Sequence, residues 1–311
     1  MILSKSQQSK KLKGNSYMQR HWTLYAMLVL PVLFFFIFSY LPLINIQLAW
    51  RANNVVQSVW NVPWVGWDNF ARAFQLQPFR SAIRNTLMFS FLDLVLGFPA
   101  PIILALLLNE LKFPRFKKVT QTISYMPFFL SWVIIGGLAT RLFSTSYGTI
   151  NNLLYQAGFD RIPFLTDNTN WVFTNVFTNI WRGIGWNTII YLAAITNVSP
   201  ELYEAADMDG ASRLRKMWHV TLPGIRPVMV IILILTLGHI MGADLARFIT
   251  LDNNLVRDVA EVIPTFTFRW GLQSFQFALA AAVGIFQSII GMTLLLAANW
   301  GAKKLGSHGF W

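Results

Sequence analysis

Six stretches of this chain are each long and apolar enough to cross a bilayer, and that feature limits most of what it can fold into. They run over residues 25–50, 86–108, 124–142, 171–194, 228–245 and 277–299. A crossing takes about 20 helical residues, because a helix rises about 1.5 Å per residue and the hydrocarbon layer is about 30 Å thick. Lipid offers the backbone no hydrogen-bond partners, so an all-α bundle of six transmembrane helices is the expected fold class. The last stretch is the clearest, with no charged residue between Phe277 and Trp300. The fifth is the weakest, interrupted by Gly238, His239 and Asp244. Pro31, Pro42, Pro99, Pro101 and Pro127 fall inside spans, where neighbouring helices can satisfy the backbone groups that a kink frees.

Composition points the same way. Of 311 residues, 55% are hydrophobic and 12% charged, about half the charge of a soluble domain. Mean hydropathy is +0.47. A water-soluble enzyme, a disordered chain and a collagen-like chain all fit poorly. There is no cysteine, hence no disulfide, thiolate metal site or cysteine nucleophile. No catalytic triad, paired carboxylates or metal-binding cluster is recognisable, so the expectation is no catalytic residue and no metal.

The net charge of +12 is first a topology signal. With the N-terminus inside, five basic residues lie in the tail (Lys5, Lys10, Lys11, Lys13, Arg20). Lys112, Arg115, Lys117 and Lys118 follow in the second loop, Arg213, Arg215, Lys216 and Arg226 in the fourth, and Lys303 and Lys304 at the end. That places 15 inside against nine on or near the longer outer segments. Both termini are then cytoplasmic, in an inner-membrane protein, and no nucleic-acid partner is needed to explain the charge. Residues 1–21 read as a basic cytoplasmic tail and 22–311 as a single transmembrane domain, its first apolar run an uncleaved anchor. The outer segments 51–83, 143–170 and 246–276 are too short for a further domain. Trp60, Trp64 and Trp67 in the first of them suit an interfacial aromatic belt, with sugar stacking as the alternative.

The most informative segment is the fourth loop, residues 199–223. Ser199, Pro200 and Glu201 write a helix start, and Gly210 writes a stop. Ser212 caps a second short helix, expected to end before Pro223. Two short helices joined at a glycine, too polar for lipid and lined with small residues, make a docking element.

Glu204-Ala205-Ala206, three residues, Gly210, nine residues, Val220, one residue, then Leu222-Pro223 closely resembles the EAA loop of permease subunits in binding-protein-dependent ABC importers. The position of Val220 is usually isoleucine in that pattern. Residues 189–194 and 282–298, with the basic tail, resemble the carbohydrate-uptake branch, especially the LplB-type permeases of oligosaccharide and polysaccharide importers, relatives of the maltose permease. The resemblance implies a non-catalytic subunit partnered by a second permease, two ATP-binding subunits and an extracytoplasmic solute-binding protein, with an oligosaccharide substrate. Its coupling residues would be Glu204, Ala205, Ala206, Asp207, Gly210, Leu222 and Pro223. ATP and Mg would sit on the ATPase partners, in agreement with the absence of a phosphate-binding G-x-x-x-x-G-K-[ST] loop here.

A charge inside the bilayer is costly, so Arg182 near the middle of the fourth span needs an explanation. Asn175, Asn179, Arg182 and Trp186 recur at helical spacing on one face. One reading is a wet translocation pathway, in which amides and a guanidinium bind hydroxyls or carboxylates and the indole packs on a sugar ring. An acidic, uronate-containing oligosaccharide would suit it. The other has Arg182 paired inside the bundle with Asp93 and the asparagines linking helices. Asp244 and Arg247, three apart, are expected to satisfy each other. His239 and Gln287, near mid-span, are expected to be buried and hydrogen-bonded, with lining of the cavity as the alternative. Two other function classes compete: an ion-coupled secondary carrier, which would show repeated halves and need no docking loop, and a membrane enzyme acting on lipid-linked sugars, which would show clustered acids or histidines.

Overall fold

The computed structural model describes residues 21–304, so the basic residues of the N-terminal tail lie outside the described part. Among the described residues there is no β-strand, only a lone antiparallel bridge between Arg51 and Trp64. The chain opens with α1 (Trp22–Trp50), a short α2 (Asp68–Gln75) and the long α3 (Gln77–Asn109). Next come α4 (Pro114–Phe129) and α5 (Trp132–Phe143), α6 (Thr149–Gln156) and α7 (Asn168–Thr196). Then α8 (Pro200–Met208) leads to α9 (Arg213–Gly238). The helices α10 (Leu245–Leu251), α11 (Arg257–Ala260) and α12 (Ile263–Phe266) fill the return to α13 (Phe277–Lys304).

Helices α1, α3, α9 and α13 are each long and apolar enough to cross a membrane; α4 and α5, bent by 107° at their junction, make a fifth crossing if taken as one. The third span is therefore broken, at a tight turn containing Pro127, after which Ser131 accepts a bond from the Ile134 N–H and starts α5. The 29 residues of α7 contain the whole fourth predicted span, 171–194, and extend it at both ends. That helix is not in the apolar class, because Asn175, Asn179, Arg182 and Asn187 interrupt its hydrophobic run.

Two sequence expectations are corrected in the fifth span. It begins at Arg213 and ends at Gly238, and the helix started by Ser212 does not stop before Pro223. The reason is a wide turn over Met217–Thr221, where the Leu222 N–H reaches back to the Met217 carbonyl by an i→i+5 bond. Such a turn makes room for the proline ring that follows and for its missing N–H. The same device recurs over Phe36–Tyr40 ahead of Pro42 and over Asp93–Gly97 ahead of Pro99. Helices thus run through prolines that would otherwise break them.

Three apolar clusters hold the bundle. One joins Phe89 of α3, Trp132 of α5, Trp171 of α7 and Phe248 of α10. A second joins Ala73 and Phe79 to Ile263, Phe266 and Leu279. The third joins Ile102 and Ala105 of α3 to Tyr191 and Ile195 of α7 and Ile225 of α9. The return segment, read from sequence as a plain outer loop, supplies fully buried Phe248, Val256, Val262, Ile263 and Phe266. By contrast every residue of α1 from 22 to 46 is exposed; only its last turns pack, against α13.

Candidate functional site

The side chains of interest come from helices that meet at the middle of the bundle. Asp93 leaves the wide turn of α3, Asn175 and Asn179 lie one turn apart on α7, and Arg247 comes from α10. Arg247 is 3% exposed. Its Nη1 donates to Asp93 Oδ2 at 2.6 Å, its Nη2 to Asp93 Oδ1 at 3.3 Å, and its Nε to Asn175 Oδ1 at 2.7 Å. Asn179 Nδ2 donates to Asp93 Oδ1 at 3.1 Å. The rings of Phe89 and Phe248 lie 5.7 and 5.1 Å from the guanidinium. A buried charge is tolerated only when paired and hydrogen-bonded, and this fork supplies both.

Arg247 therefore pairs with Asp93, not with Asp244. Asp244 stands at the start of α10, where Oδ1 accepts from the Ala246 N–H at 3.0 Å and Oδ2 from Trp132 Nε1 at 2.5 Å. With both oxygens used there, the arginine side chain reaches across to α3.

Nor does Arg182 pair with Asp93. It has no acidic partner among the described residues; its Nε donates to the Leu130 carbonyl at 3.3 Å, and it lies 5.3 and 5.1 Å from the rings of Phe128 and Trp132. The break in the third span explains this, since Leu130 lies between α4 and α5, where its carbonyl has no helical donor.

Two cavities flank the network. One, of about 310 Å³, is lined by Asp93, Phe128, Asn179, Arg182, Asn187 and Tyr191 among others. The other, of about 460 Å³, is lined by Ser90, Asp93, Asn179, His239, Asp244 and Arg247 among others. Asp93, Asn179, Ile232 and Thr236 are common to both. The predicted stripe on α7 thus divides. Asn179 and Arg182 line the first cavity, Asn175 is buried in the ion-pair network, and Trp186 stacks on Phe128 with centroids 4.5 Å apart. His239 is exposed to the second cavity rather than buried, its Nδ1 3.0 Å from the Leu235 carbonyl oxygen. Gln287 lines a different pocket, beside Phe268 and Leu272. Sequence reading named Asp93 and Arg247 but gave each the wrong partner.

At one end of the bundle, α8 and the start of α9 form a helix–turn–helix. Ser199 stands at the start of α8 without a side-chain capping bond, whereas Ser212 caps α9 through the Arg215 N–H. Gly210 closes α8 at φ +68°, a conformation that favours glycine. Tyr203 Oη lies 2.9 Å from Thr221 Oγ1, and Lys216 Nζ lies 2.7 Å from Asp207 Oδ1. The loop is thus tied to the base of α9 twice. Glu204, Ala205 and Asp207 are exposed and Ala206 is half-buried. Leu222 and Pro223 lie in the first turn of α9's straight segment, beyond the wide turn. Beside them Leu202, Met208 and Leu214 present apolar surface to solvent, with Met208 89% exposed.

A bundle of long apolar helices with polar side chains meeting inside it defines a membrane component. Residues 79–305 carry the signature of the binding-protein-dependent transport system inner membrane components, and the chain belongs to that family. It is 40% identical over 310 residues to the polygalacturonan/rhamnogalacturonan transport system permease protein YteP of Bacillus subtilis (strain 168), covering 100% of this chain and 96% of the relative. Protein LplB of the same organism is 39% identical, covering 96% and 94%. A chain of a bacterial ABC transporter involved in the import of the acidic polysaccharide alginate superposes with a TM-score of 0.86 at 39% identity, covering 93% of this chain and 98% of that one. The alginate transporter in complex with an alginate pentasaccharide-bound periplasmic protein gives a TM-score of 0.87 at 38% identity, with 94% and 98% covered.

Proposed function

We propose that this chain is one permease half of an ATP-driven importer for acidic oligosaccharides, receiving its substrate from an extracytoplasmic binding protein. In this reading α7 crosses as well, giving six crossings and two cytoplasmic termini, with the α8 knob on the cytoplasmic side. Glu204, Ala205, Ala206, Asp207 and Gly210 dock in an ATPase subunit that holds ATP and Mg, while Leu222 and Pro223 carry its motion into α9. This chain itself catalyses nothing. A second permease completes the pathway, with Asn179 and Arg182 facing the passing saccharide.

The observation that carries the reading is Arg182: a guanidinium on a cavity wall with no acidic partner among the described residues, placed between two aromatic rings. A carboxylate would complete it. The relatives named for polygalacturonan/rhamnogalacturonan and for alginate support the same substrate class. The test is uptake by the purified importer in proteoliposomes. Arg182→Gln should reduce oligogalacturonate uptake at least about tenfold, the value of one lost charged pair, and spare a neutral oligosaccharide of equal length. Equal loss of both would end the acidic reading while leaving the importer reading intact. A complex lacking any ATPase after gentle purification would end the importer reading itself.

A further inference from the structure

Arg182 leaves the second guanidinium of the pathway unexplained. Arg247 is buried and held in a fork, yet the carboxylate that holds it is 30% exposed and lines both cavities. Asp93 and Asn179, with Ile232 and Thr236, form the wall common to the two cavities. Asp93 thus stands between the two cavities, bonded to Arg247, which lines the second.

Three features suit Asp93 for release. It sits in a wide turn, whose i→i+5 bonding leaves helix carbonyls less well paired than in a regular α-helix. Gly97 closes that turn and Pro99 follows it, so the helix lacks one N–H donor just beyond Asp93. Its other partner, the Asn179 amide, is itself on the cavity wall. Arg247, by contrast, is fixed by Asn175 from behind and by two aromatic rings. Asn175 Nδ2, buried and without a hydrogen-bond partner, adds a donor beside the fork. When Asp93 turns away, the guanidinium therefore stays in place, aimed at the cavities.

We infer that the Asp93–Arg247 pair is a partition opened by exchange: a carboxylate of the passing saccharide replaces Asp93 on Arg247. Asp93 is then an internal stand-in for substrate, and Arg247 a specificity-determining residue for acidic sugars. Arg247 stays paired throughout, and the displaced Asp93 carboxylate keeps the Asn179 amide and turns to the cavity, where it is already 30% exposed. The exchange also gives neutral sugars no means of opening the partition. This inference rests on the acidic-oligosaccharide reading of the pathway.

The test uses the whole importer in proteoliposomes, with oligogalacturonate and its methyl ester as the charged and uncharged probes. Wild-type uptake of the charged probe alone establishes the acidic reading; uptake of only the uncharged probe would remove that reading and the exchange with it. Asp93→Asn keeps the shape and the contact to Asn179 but removes the competing charge, and co-purification of the ATPase reports that the chain still assembles with Arg247 lacking its carboxylate. The variant should lower the half-saturating concentration of oligogalacturonate about tenfold and raise ATP hydrolysis in the absence of saccharide. An unchanged or higher half-saturating concentration overturns the exchange, though acidic uptake by wild type would still stand. The charge-swapped D93R/R247D chain provides the second arm, with co-purification of the ATPase reporting assembly. Restored assembly with oligogalacturonate uptake still below a tenth of wild type supports the exchange; restored assembly together with full uptake shows the pair to be structural and overturns it.

Discussion

Gly185 of α7 lies against the third span where that span approaches its break, and a Cβ there would fall on the backbone of Ser124 and Tyr125. Backbone cannot step aside as a side-chain tip can, so Gly185→Ala should destabilise the purified protein by ~1–3 kcal/mol, while Gly137→Ala, inside a helix with open space around it, should stabilise it by ~0.5–1 kcal/mol. Arg247→Gln should cost more, ~3 kcal/mol, because it strands the Asp93 carboxylate. Asp244→Asn should cost ~1 kcal/mol, since an amide oxygen still accepts from Trp132. Thermal melts of the four variants in detergent would separate these ranks. The polar residues concerned were all visible in the sequence, but their partners were not. Arg247 lies 154 positions from Asp93, and nothing local to either shows that α10 folds back onto α3. Spacing favoured the near neighbour, Asp244, whose oxygens are taken by a tryptophan more than a hundred positions away.

At the scale of single elements, the α8 knob was the most legible part of the chain. Its start, its glycine stop and the serine cap of the following helix are all written in adjacent residues. What escaped was continuity through Pro223, because a wide turn leaves no mark in the sequence beyond the proline it serves. In the proposed coupling role, the two ties to α9 would carry motion of the knob into that helix. Tyr203→Phe removes the bond to Thr221, worth ~1 kcal/mol. It should leave ATP hydrolysis near wild type while reducing saccharide moved per ATP, which paired uptake and phosphate-release assays would measure. Gly210→Ala should loosen the knob by ~1 kcal/mol through its left-handed backbone, read as faster amide exchange over α8.

Across the whole molecule, apolar runs announced the long helices, whereas the core contribution of the segment between α10 and α12 was hidden in short, interrupted stretches. The exposed length of α1 offers a direct check, helped by the absence of native cysteine. A spin label on a lone cysteine at Leu30, 77% exposed, should be relaxed by oxygen dissolved in the bilayer, and a cysteine at Ala49, 0% exposed, should react with maleimide only after unfolding. The wide turns carry a consequence of their own. Each adds a residue that advances neither the rise nor the pairing of its helix, and so rotates everything beyond it by about 100°. In α3 this phase shift lets the half before Pro99 present Phe89 and Asp93 to Arg247, and the half after it present Ile102 and Ala105 to Tyr191. Removing one residue, such as Val95, would leave an intact helix with its two halves out of step, each correct for a partner the other had lost.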